Sequence, residues 1–67
     1  MKIAVKIFVE KYRLEQKLTL AELARRSGVA VSHIHNIENG NSDMTLTTLC
    51  KLAKALNVPA CNLFSCD

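Results

Sequence analysis

The sequence predicts an all-α fold, a single domain (residues 1–67) built as a compact bundle of five short helices. Three observations carry that prediction. Turn-forming clusters at Lys17-Leu18-Thr19, Ser27-Gly28, Asn39-Gly40-Asn41-Ser42-Asp43 and Asn57-Val58-Pro59 cut the 67 residues into five segments. Most segments carry helix-start, helix-stop or three- and four-residue apolar spacing. Apolar residues make up 49% of the chain, yet aromatics are only 4% and tryptophan is absent. Leu, Ile, Val and Ala must therefore fill the core, as packed helices allow.

The first helix is expected from about Val5 to Gln16, where Val5, Val9 and Tyr12 form one stripe. Ile3, Val5, Ile7 and Val9 also alternate, which admits a short N-terminal strand at residues 2–5. Ile7, Phe8 and Leu14 fall outside the stripe, so this helix is either covered on two sides or turned toward a partner. The second helix has the clearest boundaries. Thr19-Leu20-Ala21-Glu22 matches a capping box, Leu18 and Leu23 are placed as its hydrophobic staple, and Gly28 suits the left-handed stop. Arg25 and Arg26 lie in the last turn, where cations favour the helix dipole.

The third helix is expected over Val31 to Asn39. Ile34 and Ile37 share one face, and Ser32, His35, Asn36 and Asn39 fall on or near the other. Together, residues of about 19–39 read as two short helices joined by a tight glycine-containing turn, a helix-turn-helix unit. The fourth helix starts with Thr45 as N-cap, buries Leu46, Leu49, Leu52, Ala53 and Leu56 over about three turns, and stops at Asn57. Pro59 opens a fifth, short helix at its favoured first position, anchored by Leu63 and Phe64.

Nine Lys and Arg against six Asp and Glu give a net charge of +3, compatible with a polyanionic partner but not diagnostic of one. No apolar run reaches the roughly 18 residues of a membrane span. The start of the chain resembles a signal peptide, but Lys6 and Glu10 interrupt it and no small-residue cleavage site follows, so a cytoplasmic location is expected. Cys50, Cys61 and Cys66 are odd in number and form no CxxC pair, against a disulfide framework or a zinc ribbon. Cys50 reads as a small core residue and Cys66 as an exposed thiol. His33 and His35 lie about 200° apart around a helix and cannot share a metal there. No carboxylate pair, phosphate-cradling glycine loop or Cys-His arrangement stands out, so neither an enzyme nor a cofactor or metal protein is expected.

The run Leu18-Thr19-Leu20-Ala21-Glu22-Leu23-Ala24-Arg25-Arg26-Ser27-Gly28-Val29 resembles the Cro/cI-type (XRE) helix-turn-helix regulators. So do Ile34-His35-Asn36-Ile37-Glu38-Asn39-Gly40, Thr45 to Leu49, Lys51 to Pro59 and Leu63-Phe64. The resemblance implies a lambda-repressor-like five-helix domain that binds double-stranded DNA as a homodimer at an inverted-repeat operator, helix 3 entering the major groove. It places Val31, Ser32, His35 and Asn36 at base edges, and Thr19, His33, Asn39 and Asn41 at phosphates. It makes Arg13 and Glu38 a structural ion pair joining helix 1 to the end of helix 3. The dimer interface is expected around helix 5, with Ala60 and Phe64.

Three departures from the family pattern bear on affinity. Leu20 stands where a phosphate-binding Gln is common, Ala30 where Ser or Thr caps helix 3, and Asn41-Ser42-Asp43 where the loop is usually basic. An alternative is therefore a protein-binding module of the same fold, an antitoxin or adaptor, favoured by that weakly charged loop and the surplus apolar residues of helix 1. Salt dependence separates the two readings, because phosphate contacts release counterions and protein contacts need not.

Overall fold

A computed structural model describes residues 5–40 and 44–66. Its elements run β1 (Val5–Ile7), α1 (Val9–Glu15), α2 (Leu20–Ser27), α3 (Val31–Glu38), α4 (Leu46–Leu56), a 3-10 turn (Ala60–Leu63) and β2 (Phe64–Cys66). The fold is mostly helical, but the expected five α-helices become four, with one 3-10 turn and a two-stranded sheet.

Both ends of the expected pattern are corrected by one long-range interaction. β1 pairs antiparallel with β2, Val5 opposite Cys66, Lys6 opposite Ser65 and Ile7 opposite Phe64. Residues 5–7 are therefore extended rather than the first turn of a helix, and α1 starts only at Val9. The strand expected at residues 2–5 is observed at 5–7; residues 1–4 lie outside the described residues. Phe8 marks the change of direction, donating its amide hydrogen to the Leu63 carbonyl at 2.8 Å. The fifth segment makes a single tight turn after Pro59 and then extends into β2.

Between these ends, local chemistry sets the boundaries. The Glu22 amide donates to the Thr19 hydroxyl oxygen and the Thr19 amide donates to the Glu22 carboxylate, both at 3.1 Å, completing the capping box of α2. Gly28 ends α2 at φ +77°. Thr45 caps α4 by accepting from the Thr48 amide, and Asn57 closes it at φ +59°. α1 ends with Lys17 at φ +57°, while the Leu18 amide reaches back to the Arg13 carbonyl at 3.0 Å. A lysine in this left-handed conformation carries a Cβ penalty that glycine would not.

The core is aliphatic throughout: Val9, Leu18, Leu23, Val29, Ile34, Ile37, Leu49, Leu52, Ala53, Leu56 and Leu63. Cys50 is not part of it. The thiol is exposed, as are those of Cys61 and Cys66, because Cys50 shares its helical stripe with Leu46 and Lys54 and all three face outward. Leu46, expected on the buried face, is 79% exposed. Among the described residues no helix is long and apolar enough to cross a membrane.

Candidate nucleic-acid interface

α2 and α3 form the helix-turn-helix, joined by Gly28, Val29 and Ala30. The turn is held from both sides. Val29 is buried in the core, and its amide donates to the Ser27 hydroxyl at 3.2 Å. α3 then rests on Ile34 and Ile37, both with no exposed surface. Anchoring at these two positions turns the opposite side of α3 to solvent, where Val31, Ser32, His35 and Asn36 are all exposed. The side chains expected at base edges therefore lie together on one helical surface, clear of the core. Val31 is 42% exposed, an apolar side chain held in water.

The residues expected at phosphates are less uniform. His33 is half-buried and Asn39 is exposed, while Asn41 lies outside the described residues. Asn39 is engaged with α3 itself: its side-chain amide donates to Nε2 of His35 at 3.1 Å. Thr19 has committed its amide and its hydroxyl oxygen to the capping box. What remains for a phosphate at the start of α2 is the Thr19 hydroxyl hydrogen and the first helical amides of Leu20 and Ala21. The same capping bonds, the backbone one foremost, hold the Glu22 carboxyl below its ordinary pKa.

α3 is fixed to α1 by a bidentate ion pair. Arg13 Nε donates to Glu38 Oε2 at 2.8 Å and NH2 to Oε1 at 3.2 Å, while NH1 donates to the Leu18 carbonyl at 2.9 Å. The two side chains are 12% and 3% exposed. Hydrogen bonding to Glu38 holds the guanidinium above its usual pKa despite the opposing cost of burial. The pair locks the last turn of α3 to both α1 and the loop before α2, so the orientation of the exposed α3 surface is tied to the body of the domain. Ala30, at the head of α3, supplies no side-chain cap.

The helix-turn-helix family model matches residues 9–63, most of the chain. The chain belongs to the Cro/cI-type (XRE) helix-turn-helix family. Within that family it is similar to the crystal structure of the restriction-modification controller protein C.AhdI from Aeromonas hydrophila: TM-score 0.76, 29% identity, covering 78% of this chain and 79% of that one. A second controller, C.Esp1396I, aligns with TM-score 0.73 and 31% identity over 76% of this chain and 66% of that one. A single-residue variant of C.Esp1396I gives TM-score 0.75 and 30% identity over 81% and 70%. No curated protein sequence matches the chain. Membership makes this chain a DNA-binding regulator of transcription of the helix-turn-helix type. β1 lies outside the matched region, and β2 follows it.

Proposed function

We propose that the protein binds a specific duplex operator as a homodimer, each protomer laying α3 in the major groove. The observation that carries the reading is the solvent face of α3. Asn36 can pair with an adenine edge, Ser32 can donate or accept, and Val31 offers a methyl contact to thymine. His35, its Nε2 occupied by Asn39, has its other ring nitrogen left to meet a base edge. Thr19, the amides at the start of α2, His33, Asn39 and Asn41 serve the phosphates on either side. A single helix of eight residues makes too few contacts for a specific site. Two copies on an inverted repeat, with half-sites about one DNA turn apart, supply the rest. The similarity to two restriction-modification controllers supports a regulatory role, and the reading assigns no catalysis, metal or cofactor.

The protein-binding alternative draws on the apolar residues around α1. The sheet takes up part of that surplus, since Ile7 packs against the core and Phe8 is half-buried at the junction with α1, leaving Leu14 exposed at 57%. The test is selection of the purified protein against random duplex DNA, then titration of the enriched site at two salt concentrations. An inverted repeat, bound in a salt-sensitive manner and lost with Asn36→Ala, is the expected result. A folded protein that enriches no sequence at any salt concentration would overturn the reading in favour of a protein partner.

A further inference from the structure

Asn39 is tied to His35 twice. Its backbone amide donates to the His35 carbonyl at 3.1 Å, and its side-chain amide lies 3.1 Å from Nε2 of the imidazole. The first bond closes the last turn of α3; the second lies on the solvent side, where both side chains are exposed. Val31, His35 and Asn39 follow one another at four-residue spacing, a stripe of α3 beside that of Ser32 and Asn36. The backbone that carries Asn39 is fixed on both sides. Ile37 is fully buried, Glu38 is clamped by Arg13 at 2.8 and 3.2 Å, and the Gly40 amide donates to the Ile37 carbonyl at 3.1 Å. An imidazole on an exposed helix face ordinarily samples several rotamers and both ring orientations; here it is held by a side chain on an anchored base. A bond between two exposed side chains adds little to folding, because water replaces it when it is lost. Its effect falls on the ring itself. A hydrogen bond at one imidazole nitrogen sets which nitrogen carries the proton, and so whether the other offers a donor or an acceptor.

We infer that Asn39 is a positioning residue for base recognition, holding the His35 ring in one orientation and one tautomer so that its other nitrogen reads a single base pair. The inference rests on the operator-binding reading above and names a determinant of its specificity. The family pattern gives Asn39 a phosphate contact, which carries no sequence information; the pairing with His35 adds a part in base readout. Each base edge in the major groove is a fixed pattern of donors and acceptors. A ring free to turn over, or to move its proton between nitrogens, meets either kind of edge and discriminates poorly. A ring held by Asn39 meets one kind. It also enters the groove with its torsions already set, so docking orders less of the side chain. Asn39 itself needs no base contact for this.

The test uses the operator selected from random duplex DNA, with each base pair of the half-site replaced in turn. Affinities are measured for wild type, His35→Ala, Asn39→Ala and the double variant, with circular dichroism as the check on folding. His35→Ala should flatten the preference at one base pair. Asn39→Ala should reduce the preference at that same base pair by about fivefold or more and leave it elsewhere, and the double variant should lose no more there than His35→Ala. In the free protein, with the ring neutral, long-range proton–nitrogen NMR correlations should show two unlike nitrogens in His35. In Asn39→Ala they should move toward a mixture of tautomers. An Asn39→Ala protein that binds every sequence more weakly by one factor, with the His35 preference intact, would overturn the inference and leave the operator reading standing. So would a His35→Ala protein with unchanged base preferences, or ring nitrogens indifferent to Asn39→Ala. A folded protein that enriches no sequence would overturn both.

Discussion

In an Arg13→Ala variant, the Glu38 carboxylate would keep a side chain only 3% exposed and lose the cation beside it. Stranding one partner of a buried pair costs about 3–5 kcal/mol. The Leu18 carbonyl also loses its 2.9 Å bond to NH1, adding about 1 kcal/mol. Arg13 is 12% exposed, so water can reach part of the site and the lower end, about 3–4 kcal/mol in all, is the expectation. A domain of this size has roughly 3–10 kcal/mol to lose. At a urea dependence of about 1 kcal/mol per molar, the midpoint should fall by about 3 M. The double variant Arg13→Leu/Glu38→Met removes both charges and keeps the volume. It should recover most of the loss, what remains being the bare Leu18 carbonyl, so its loss should fall well short of the sum of the two single losses. Urea titrations followed by far-ultraviolet circular dichroism, under reducing conditions, measure Arg13→Ala and the four proteins of the cycle: wild type, Arg13→Leu, Glu38→Met and the double variant. Single variants within about 0.5 M of wild type, or a double variant as unstable as the sum of the singles, would refute the account.

Four further outcomes follow from the helix ends. Ala30 already has the extended backbone of an N-cap, so Ala30→Ser should stabilise the domain by about 1 kcal/mol, read from the thermal midpoint. Gly28→Ala should cost about 1 kcal/mol, because φ is +77° although a Cβ would meet no atom within 4 Å; Lys17→Gly should give a similar gain at φ +57°. Thr19→Ala removes the hydroxyl but keeps the backbone bond that depresses the Glu22 carboxyl most, so it should move that carboxyl only part of the way back in an NMR titration. The depressed carboxyl stabilises the fold above the ordinary carboxylate pKa, and that contribution is lost as pH falls through the lowered value. The variant should therefore show a shallower loss of stability in acid.

What was legible in the sequence was local. Thr19 with Glu22, Gly28, Thr45 and Asn57 announce helix ends because the groups they satisfy lie within four residues. Ile34 and Ile37 announce the inner face of α3, and by elimination the outer one. The start of α1 was not legible, since Val5 and Ile7 fit a strand as well as a helix and the deciding partner is Phe64–Cys66, at the far end of the sequence. Cys50 was misplaced because its neighbours Leu49 and Leu52 are buried. The signal that could have placed it was Lys54 four residues on, which marks the Leu46–Cys50–Lys54 stripe as solvated. The Arg13–Glu38 pairing came from the family resemblance; nothing in the spacing of two residues 25 apart identifies such a contact. The engagement of Asn39 with His35 follows the i, i+4 spacing of one helix and was open to sequence reasoning, which assigned each side chain to DNA separately.

The pairing of Val5 with Cys66 also governs the order in which the molecule comes together. It closes a loop of about sixty residues, an entropic cost of roughly 3–4 kcal/mol that two three-residue strands recover only in part. The helices, whose contacts close much shorter loops, can form ahead of it. Thermal opening should run in reverse, the ladder parting while α2, α3 and α4 remain packed, so amide hydrogens in β1 and β2 should exchange before those of the helices. Only the closed ladder sets Val5 opposite Cys66 and Ile7 opposite Phe64, and anything that binds that face shifts the chain toward closure by mass action.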